Sequence, residues 1–279
     1  MPFSNIRVED LIKIYPPEDI IQLIDLTDHT LESVLVVPQK NKILAYTHID
    51  NEKLFSNEPE TALNVSSPKL FNNPFRKIFG YSGSIFSLVP EELFQEELVE
   101  LMLSFGHKVP EKQKFFNNYL DLLHLYVIFS MSEKVYSFFT HSGAKDIFHI
   151  SFSIIRQILI NDQYPKNDDL YIGIDTNRIT LTAFKEKKLL LQNTYPYQED
   201  EDVLYTILNA SHLLGFEPGK SNYTVYGKHS NDQALFTLLK KYIKYAFPVP
   251  MPYEIHPHPD EKEVRSYSFF RLLSLLSCA

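Results

Sequence analysis

One supersecondary pattern occurs twice in this chain of 279 residues, and it narrows the possible folds more than any other feature. Ile21 to Ile49 reads IQLIDLTDHTLESVLVVPQKNKILAYTHI, and Leu170 to Tyr197 reads LYIGIDTNRITLTAFKEKKLLLQNTYPY. Each is an apolar strand ending in Ile-Asp (Ile24-Asp25, Ile174-Asp175), a short polar stretch, a second strand, a lysine-bearing turn and a third strand. Apolar runs broken by polar turns are what a three-stranded meander requires. A repeated unit of this size predicts two lobes of one design, with Asp25 and Asp175 at equivalent strand ends facing a shared cleft.

The rest of the chain reads as follows. Asn51 to Arg76, with Pro59, Pro68 and Pro74, is a polar, irregular insertion extending to about residue 80. Ser84 to Val89 is a strand. Pro90 then opens a helix with Glu91 and Glu92 in its first turn, carrying Phe94, Leu98, Leu101, Met102 and Phe105 and stopping at Gly106. Leu122 to Ser130 is a buried strand. Ser132 caps a helix bearing Val135, Phe138 and Phe139, a short strand spans Asp146 to Ile150, and a helix from Ser151 to Ile160 bridges the lobes. In the second lobe a helix runs over Val203, Leu204, Ile207, Leu208 and Leu214 to Gly215, and a strand runs from Tyr223 to Tyr226. Ser230 and Gln233 form a capping box for a helix with Leu235, Leu238, Leu239 and Tyr242 inward. The tail, Tyr267 to Ser277, is a helix whose Phe269, Leu272, Leu273 and Leu276 face is covered, by the first lobe or, if the tail is a docking helix, by a partner. Residues 1–164 therefore form the first lobe, 165–247 the second, and 248–279 a proline-rich connector and C-terminal helix.

Charge and composition remove several classes of function. A formal charge of −8 opposes a nucleic-acid partner, which selects basic surfaces. The lone Cys278 rules out an intrachain disulfide or thiolate zinc cluster and suits a reducing compartment. No apolar run reaches the ~20 residues that cross a bilayer, and no secretory signal is seen, so a cytoplasmic location is expected. Glycine is scarce. Ordinary usage near 7% gives roughly 20 in a chain this long, against the 8 present. Loops that wrap phosphate rely on glycine because it admits positive φ and leaves no Cβ in the contact.

Two strand–strand–strand–helix–strand–helix units in tandem resemble the actin-like ATPase fold, an α/β architecture of two duplicated ribonuclease-H-like lobes. Val127 to Leu159 (VIFSMSEKVYSFFTHSGAKDIFHISFSIIRQIL) is similar to part of the pilus-assembly actin-like proteins, with Ser142-Gly143-Ala144 where those have Ala-Gly. The whole chain resembles a bacterial family assigned the same fold. The resemblance implies two Asp-x-Gly hairpins around magnesium–ATP. Asp25 matches the first aspartate, but Thr27 holds the glycine position; Asp175 matches the second, but Asn177 holds the glycine position. The hydroxyls of Thr27, Thr30, Thr176 and Thr180 remain. The adenosine loop keeps Gly227 and replaces its second glycine with Lys228. What this implies is a non-catalytic actin-like binding or assembly module with a degenerate interlobe nucleotide site, engaging a protein partner such as a peptide or a membrane protein's tail.

The alternative is a working nucleotide-binding protein, a slow ATPase or small-molecule kinase using magnesium–ATP. Asp25 and Asp175 can equally be plain turn-capping residues. His256-Pro257-His258-Pro259-Asp260 matches a His-x-His-x-Asp metal pattern, but its prolines also suit a polyproline connector. Ser82-Gly83-Ser84 lacks the Gly-x-Ser-x-Gly elbow and reads as turn chemistry.

Overall fold

The computed structural model describes residues 8–27, 30–50, 73–161, 168–227, 233–255 and 266–278. The chain divides into two compact units. The first runs to Ser153, and Ile154 opens the second; the chain returns to the first unit at Tyr253, and Leu273 belongs to the second and Ser274 to the first.

In the first unit a short helix, α1 (Val8–Ile14), precedes β1 (Ile21–Leu26), β2 (Thr30–Val37) and β3 (Lys42–Asp50). These three strands pair antiparallel. β1 is buried along its whole length, as expected for a central strand covered on both faces. β4 (Arg76–Tyr81) then pairs parallel with β1. Proline punctuation led the sequence reading to extend the insertion to about residue 80, but Phe75, Ile78, Phe79 and Tyr81 are core residues, so the insertion ends before Arg76.

The segment after β4 forms a side sheet of three strands: β5 (Phe86–Pro90), β6 (Gln113–Leu120) and β7 (Leu125–Ser132), in the order β5-β7-β6. The single helix expected from Pro90 does not form. Pro90 stays extended (φ −53°, ψ 143°), and the Glu91 amide donates to the His124 carbonyl on the turn before β7. Two 3-10 turns follow, separated by the extended Gln95, and only Val99–Ser104 becomes α-helix, α2. β6 escaped the sequence reading because Asn117 and Asn118 interrupt its apolar pattern.

α3 (Glu133–His141) starts where Ser132 accepts the Val135 amide, as read from the sequence. β8 (Ile147–His149) pairs parallel with β4, and α4 (Ile150–Asn161) follows. The two-residue strand Glu254–Ile255 joins the free edge of β3, so the main sheet has six strands.

The second unit repeats this plan without the side sheet. β9 (Asp169–Ile174), β10 (Arg178–Lys185) and β11 (Lys188–Pro196) are antiparallel; β12 (Asn222–Tyr226) and β13 (Ala246–Pro248) add parallel to the other side of β9. α5 (Asp200–Leu214) ends at Gly215 in the left-handed region (φ 71°), and α6 (Gln233–Tyr242) links β12 to β13. Leu170, Ile172, Ile174, Leu181 and Ala183 of the sheet pack against Val203, Ile207, Leu235 and Leu239 of these helices. Tyr242, expected inward, is exposed. The Ser230 half of the expected capping box lies outside the described residues.

The tail is a broken helix rather than one continuous one: 3-10 over Ser266–Phe269, α over Phe270–Leu273 and 3-10 over Ser274–Cys278. Phe269, Phe270, Leu272, Leu273 and Leu275 are buried. Its cover is shared. Phe270 lies against Tyr226 within the second unit, with ring centroids 4.7 Å apart, and Leu275 lies beside Gly80 of β4 in the first.

Candidate functional site

The strand registers correct the equivalence of the two aspartates. The last pair before each hairpin turn is Leu26–Leu31 in the first unit and Ile174–Ile179 in the second. Both second strands carry a register shift at the same place, Leu35/Val36 and Ala183/Phe184. The turn bonds correspond too: Thr27 amide to Thr30 carbonyl at 2.8 Å, and Asp175 amide to Arg178 carbonyl at 3.0 Å. Asp175 therefore corresponds to Thr27, and Asp25 to Gly173. The shared Ile-Asp dipeptide is out of register by two residues. That keeps each aspartate on the same face of its strand but sets Asp25 about 7 Å deeper, at ~3.3 Å per residue.

Asp25 is fully buried within β1. Ser82, two residues beyond its parallel neighbour Gly80, donates its hydroxyl to both carboxylate oxygens, at 3.0 and 2.8 Å. A Cβ on Gly80 would lie 3.4 Å from Oδ1 and 3.0 Å from Leu275. Ser82 is thus more than a turn residue; it seats a core carboxylate. Across the strand pair, Glu32 faces Asp25 in register, buried, with the Tyr46 hydroxyl and His48 Nδ1 each 3.1 Å from its Oε1. Thr27 and Thr30 close the turn on each other: the Thr30 amide donates to Thr27 Oγ1 at 2.8 Å, and the two hydroxyls are 3.0 Å apart.

In the second unit the places of glycine and large side chain are exchanged. Gly173 stands where Asp25 stands, and its parallel neighbour is Tyr226, where the first unit has Gly80. A Cβ on Gly173 would sit 2.6–2.8 Å from the Tyr226 ring, so only glycine admits that ring. The Tyr226 phenol is buried; burial first, and then the charge of Asp175, push its pKa far above the usual range. Asp175 follows β9 and is partly exposed. Arg271 Nε, from the tail, lies 3.3 Å from its Oδ2, and its carbonyl accepts the Tyr197 hydroxyl. Thr176 and Asn177 form the exposed turn, and Thr180 Oγ1 is 3.1 Å from Thr194 Oγ1 on β11.

Gly227 has φ +102°, and a Cβ there would lie 2.4 Å from the Ile174 carbonyl. Its need for glycine is met by the packing of β12 on β9. Lys228, His256 and His258 lie outside the described residues, and among the described residues no group of three His, Cys, Asp or Glu could hold a metal. The sequence reading missed Arg271, Gly173, Tyr226 and the seating role of Ser82.

A separate cavity of about 590 Å³ lies in the second unit at the opposite end of β9 from Asp175, lined by Asp169, Tyr171, Thr224, Phe247 and Phe270 among others.

The family described as a protein of unknown function, DUF3822, matches residues 16–246. The chain belongs to the DUF3822 family. Comparison with the curated proteins finds no match. Among solved structures, the DUF3822 chain is similar to a Bacteroides thetaiotaomicron protein with actin-like ATPase fold and unknown function. There the TM-score is 0.74 at 19% identity, over 94% of this chain and 97% of that one. It is also similar to a chain of a PilM–PilN type IV pilus biogenesis complex (TM-score 0.58, 13% identity, 93% and 98% covered). A third is the ethanolamine utilization protein EutJ from Carboxydothermus hydrogenoformans (0.50, 8%, 94% and 89%). The fold of this DUF3822 protein is the actin-like ATPase fold. No helix among the described residues is long and apolar enough to cross a membrane.

Proposed function

We propose that this protein is a non-catalytic binding or assembly module in which the two nucleotide hairpins of the actin-like fold have become structural. The observation that carries this reading is the state of the two aspartates. Asp25 is a core carboxylate held by Ser82, and Asp175 is paired with Arg271 from the chain's own tail. Magnesium at a phosphate site needs carboxylate oxygens free to face it, and the triphosphate needs backbone amides within reach. The first hairpin presents Thr27 closed on Thr30 where the second has its aspartate. These groups do not fit magnesium–triphosphate.

A protein partner is the class of ligand to test first. The PilM of the similar structure belongs to a complex with PilN, and a fold kept while its hairpin groups are spent on internal contacts suits a scaffold. The test is titration calorimetry with magnesium–ATP, with a magnesium-dependent hydrolysis assay on wild type, Asp25→Ala and Asp175→Ala. Neither heat of binding at millimolar nucleotide nor turnover above background is expected. Turnover abolished by Asp175→Ala would overturn the reading in favour of an ATPase.

A further inference from the structure

α2 and the turns before it present an apolar surface that the fold leaves open. On its inner side Val99 and Leu103 pack against Ile128 of the side sheet, with Phe94 and Met102 beside them. On its outer side Leu93 is 65% exposed, Leu101 50% and Phe105 82%. Leu98, Leu101 and Phe105 are spaced i, i+3, i+7, so they form one stripe about 10 Å long at 1.5 Å per residue. Single exposed leucines are ordinary, but several in thirteen residues, on a helix already anchored by its other face, make a patch.

The charge around this stripe narrows what it can meet. Glu92, Glu96, Glu97 and Glu100 are all exposed, and the sequence has no lysine or arginine from Ile78 to Gly106. Carboxylates of this density repel anionic lipid and nucleic acid. They attract a segment that brings cations on either side of large apolar residues.

We infer that the acidic apolar stripe Leu98–Leu101–Phe105, with exposed Leu93 on the turn before it, is the docking surface for a basic amphipathic helix of a partner protein. This rests on the reading of the chain as a binding module. The ridge of α2 offers the spacing that a partner helix meets with its own i, i+3 or i+4, i+7 anchors, and the glutamates meet the flanking lysines and arginines.

The experiment selects a displayed library of helical peptides against the full chain, then measures affinities of the enriched peptides. Enrichment of lysine and arginine beside large apolar residues is expected. Leu101→Ser with Phe105→Ser should weaken binding roughly tenfold or more, as loss of central anchors does. Glu96→Lys with Glu97→Lys should weaken it comparably and flatten its salt dependence. Leu213→Ser, at an exposed site in the second unit, should leave it unchanged. Hydrogen-exchange protection on binding should fall on residues 91–107. Peptides that bind all variants alike, or no enrichment at all, would overturn this surface while leaving the module reading intact. So would wild-type self-association in sedimentation that Phe105→Ser removes, since the occupant would then be a second copy. Asp175-dependent ATP turnover would strike the module reading instead.

Discussion

Gly173 and Tyr226 show how one position decides what a lobe can hold. In the first unit the pair is Asp25 beside Gly80; in the second it is Gly173 beside Tyr226. Each pair has room for one side chain over one glycine. Gly173→Ala should therefore destabilise the protein by about 1–3 kcal/mol, the usual cost of overpacking, because the Tyr226 ring cannot yield without moving its neighbours. Adding Tyr226→Val should recover most of that loss, and a double-mutant cycle by chemical denaturation measures the coupling. Additive effects of the two substitutions would show that the ring is not what requires the glycine. The same logic explains why Asp25 misleads as a site residue. Its dipeptide matches the one at Asp175, but the identity of a carboxylate says nothing of its depth, and a two-residue slip preserves the face while changing the surroundings.

The side-sheet element is tied down at its start by Glu91. Its Oε2 accepts the Tyr119 hydroxyl at 2.8 Å and lies 3.0 Å from His124 Nδ1. These bonds, that to Tyr119 first, hold the Glu91 carboxyl below its usual pKa and raise that of the Tyr119 phenol. A depressed folded-state pKa adds stability that is present above the unfolded value and lost as pH falls through the folded one. The group is exposed, so the contribution is small and screened by salt. Glu91→Gln should make the acid limb of the stability curve slightly shallower below the ordinary carboxylate range and leave neutral stability nearly unchanged. An NMR titration following the Glu91 carboxyl and the Tyr119 ring checks this. A Glu91 midpoint at the ordinary carboxylate value would remove the anchor.

Across the whole molecule the tail is the element on which both units depend. Phe269, Phe270, Leu272 and Leu273 are buried residues of the second unit, and Leu275, of the first, lies beside Gly80 of β4. At ~1.5–3 kcal/mol for each large apolar side chain, their loss approaches the whole stability of an ordinary domain. Ending the chain before Ser266 should therefore yield an insoluble or loosely folded product, visible as loss of cooperative melting. Arg271→Ala, which removes the Asp175 partner while keeping the apolar contacts, should leave a folded protein of modestly lower Tm. A truncated chain that melts like the full one would show the tail to be dispensable.

Much of this was written locally. The hairpins β1–β3 and β9–β11 follow from apolar runs and turn residues a few positions apart, and α3 and α5 from their caps, Ser132 and Gly215. Such features concern neighbours within a turn or a strand pair, where side-chain period and backbone preference act directly. β4 and β6 were hidden because proline and asparagine signals near them spoke for loops, while burial against distant strands made them strands. The partners that give the candidate site its character are likewise remote in the chain: Ser82 for Asp25, Arg271 for Asp175, Tyr226 for Gly173. The sequence alone determined the repeated unit, its capped helices and the likeness to the actin-like fold. Tertiary structure decided the register that separates Asp25 from Asp175 and the groups that engage them, because contacts between distant segments depend on packing complementarity that no local period records.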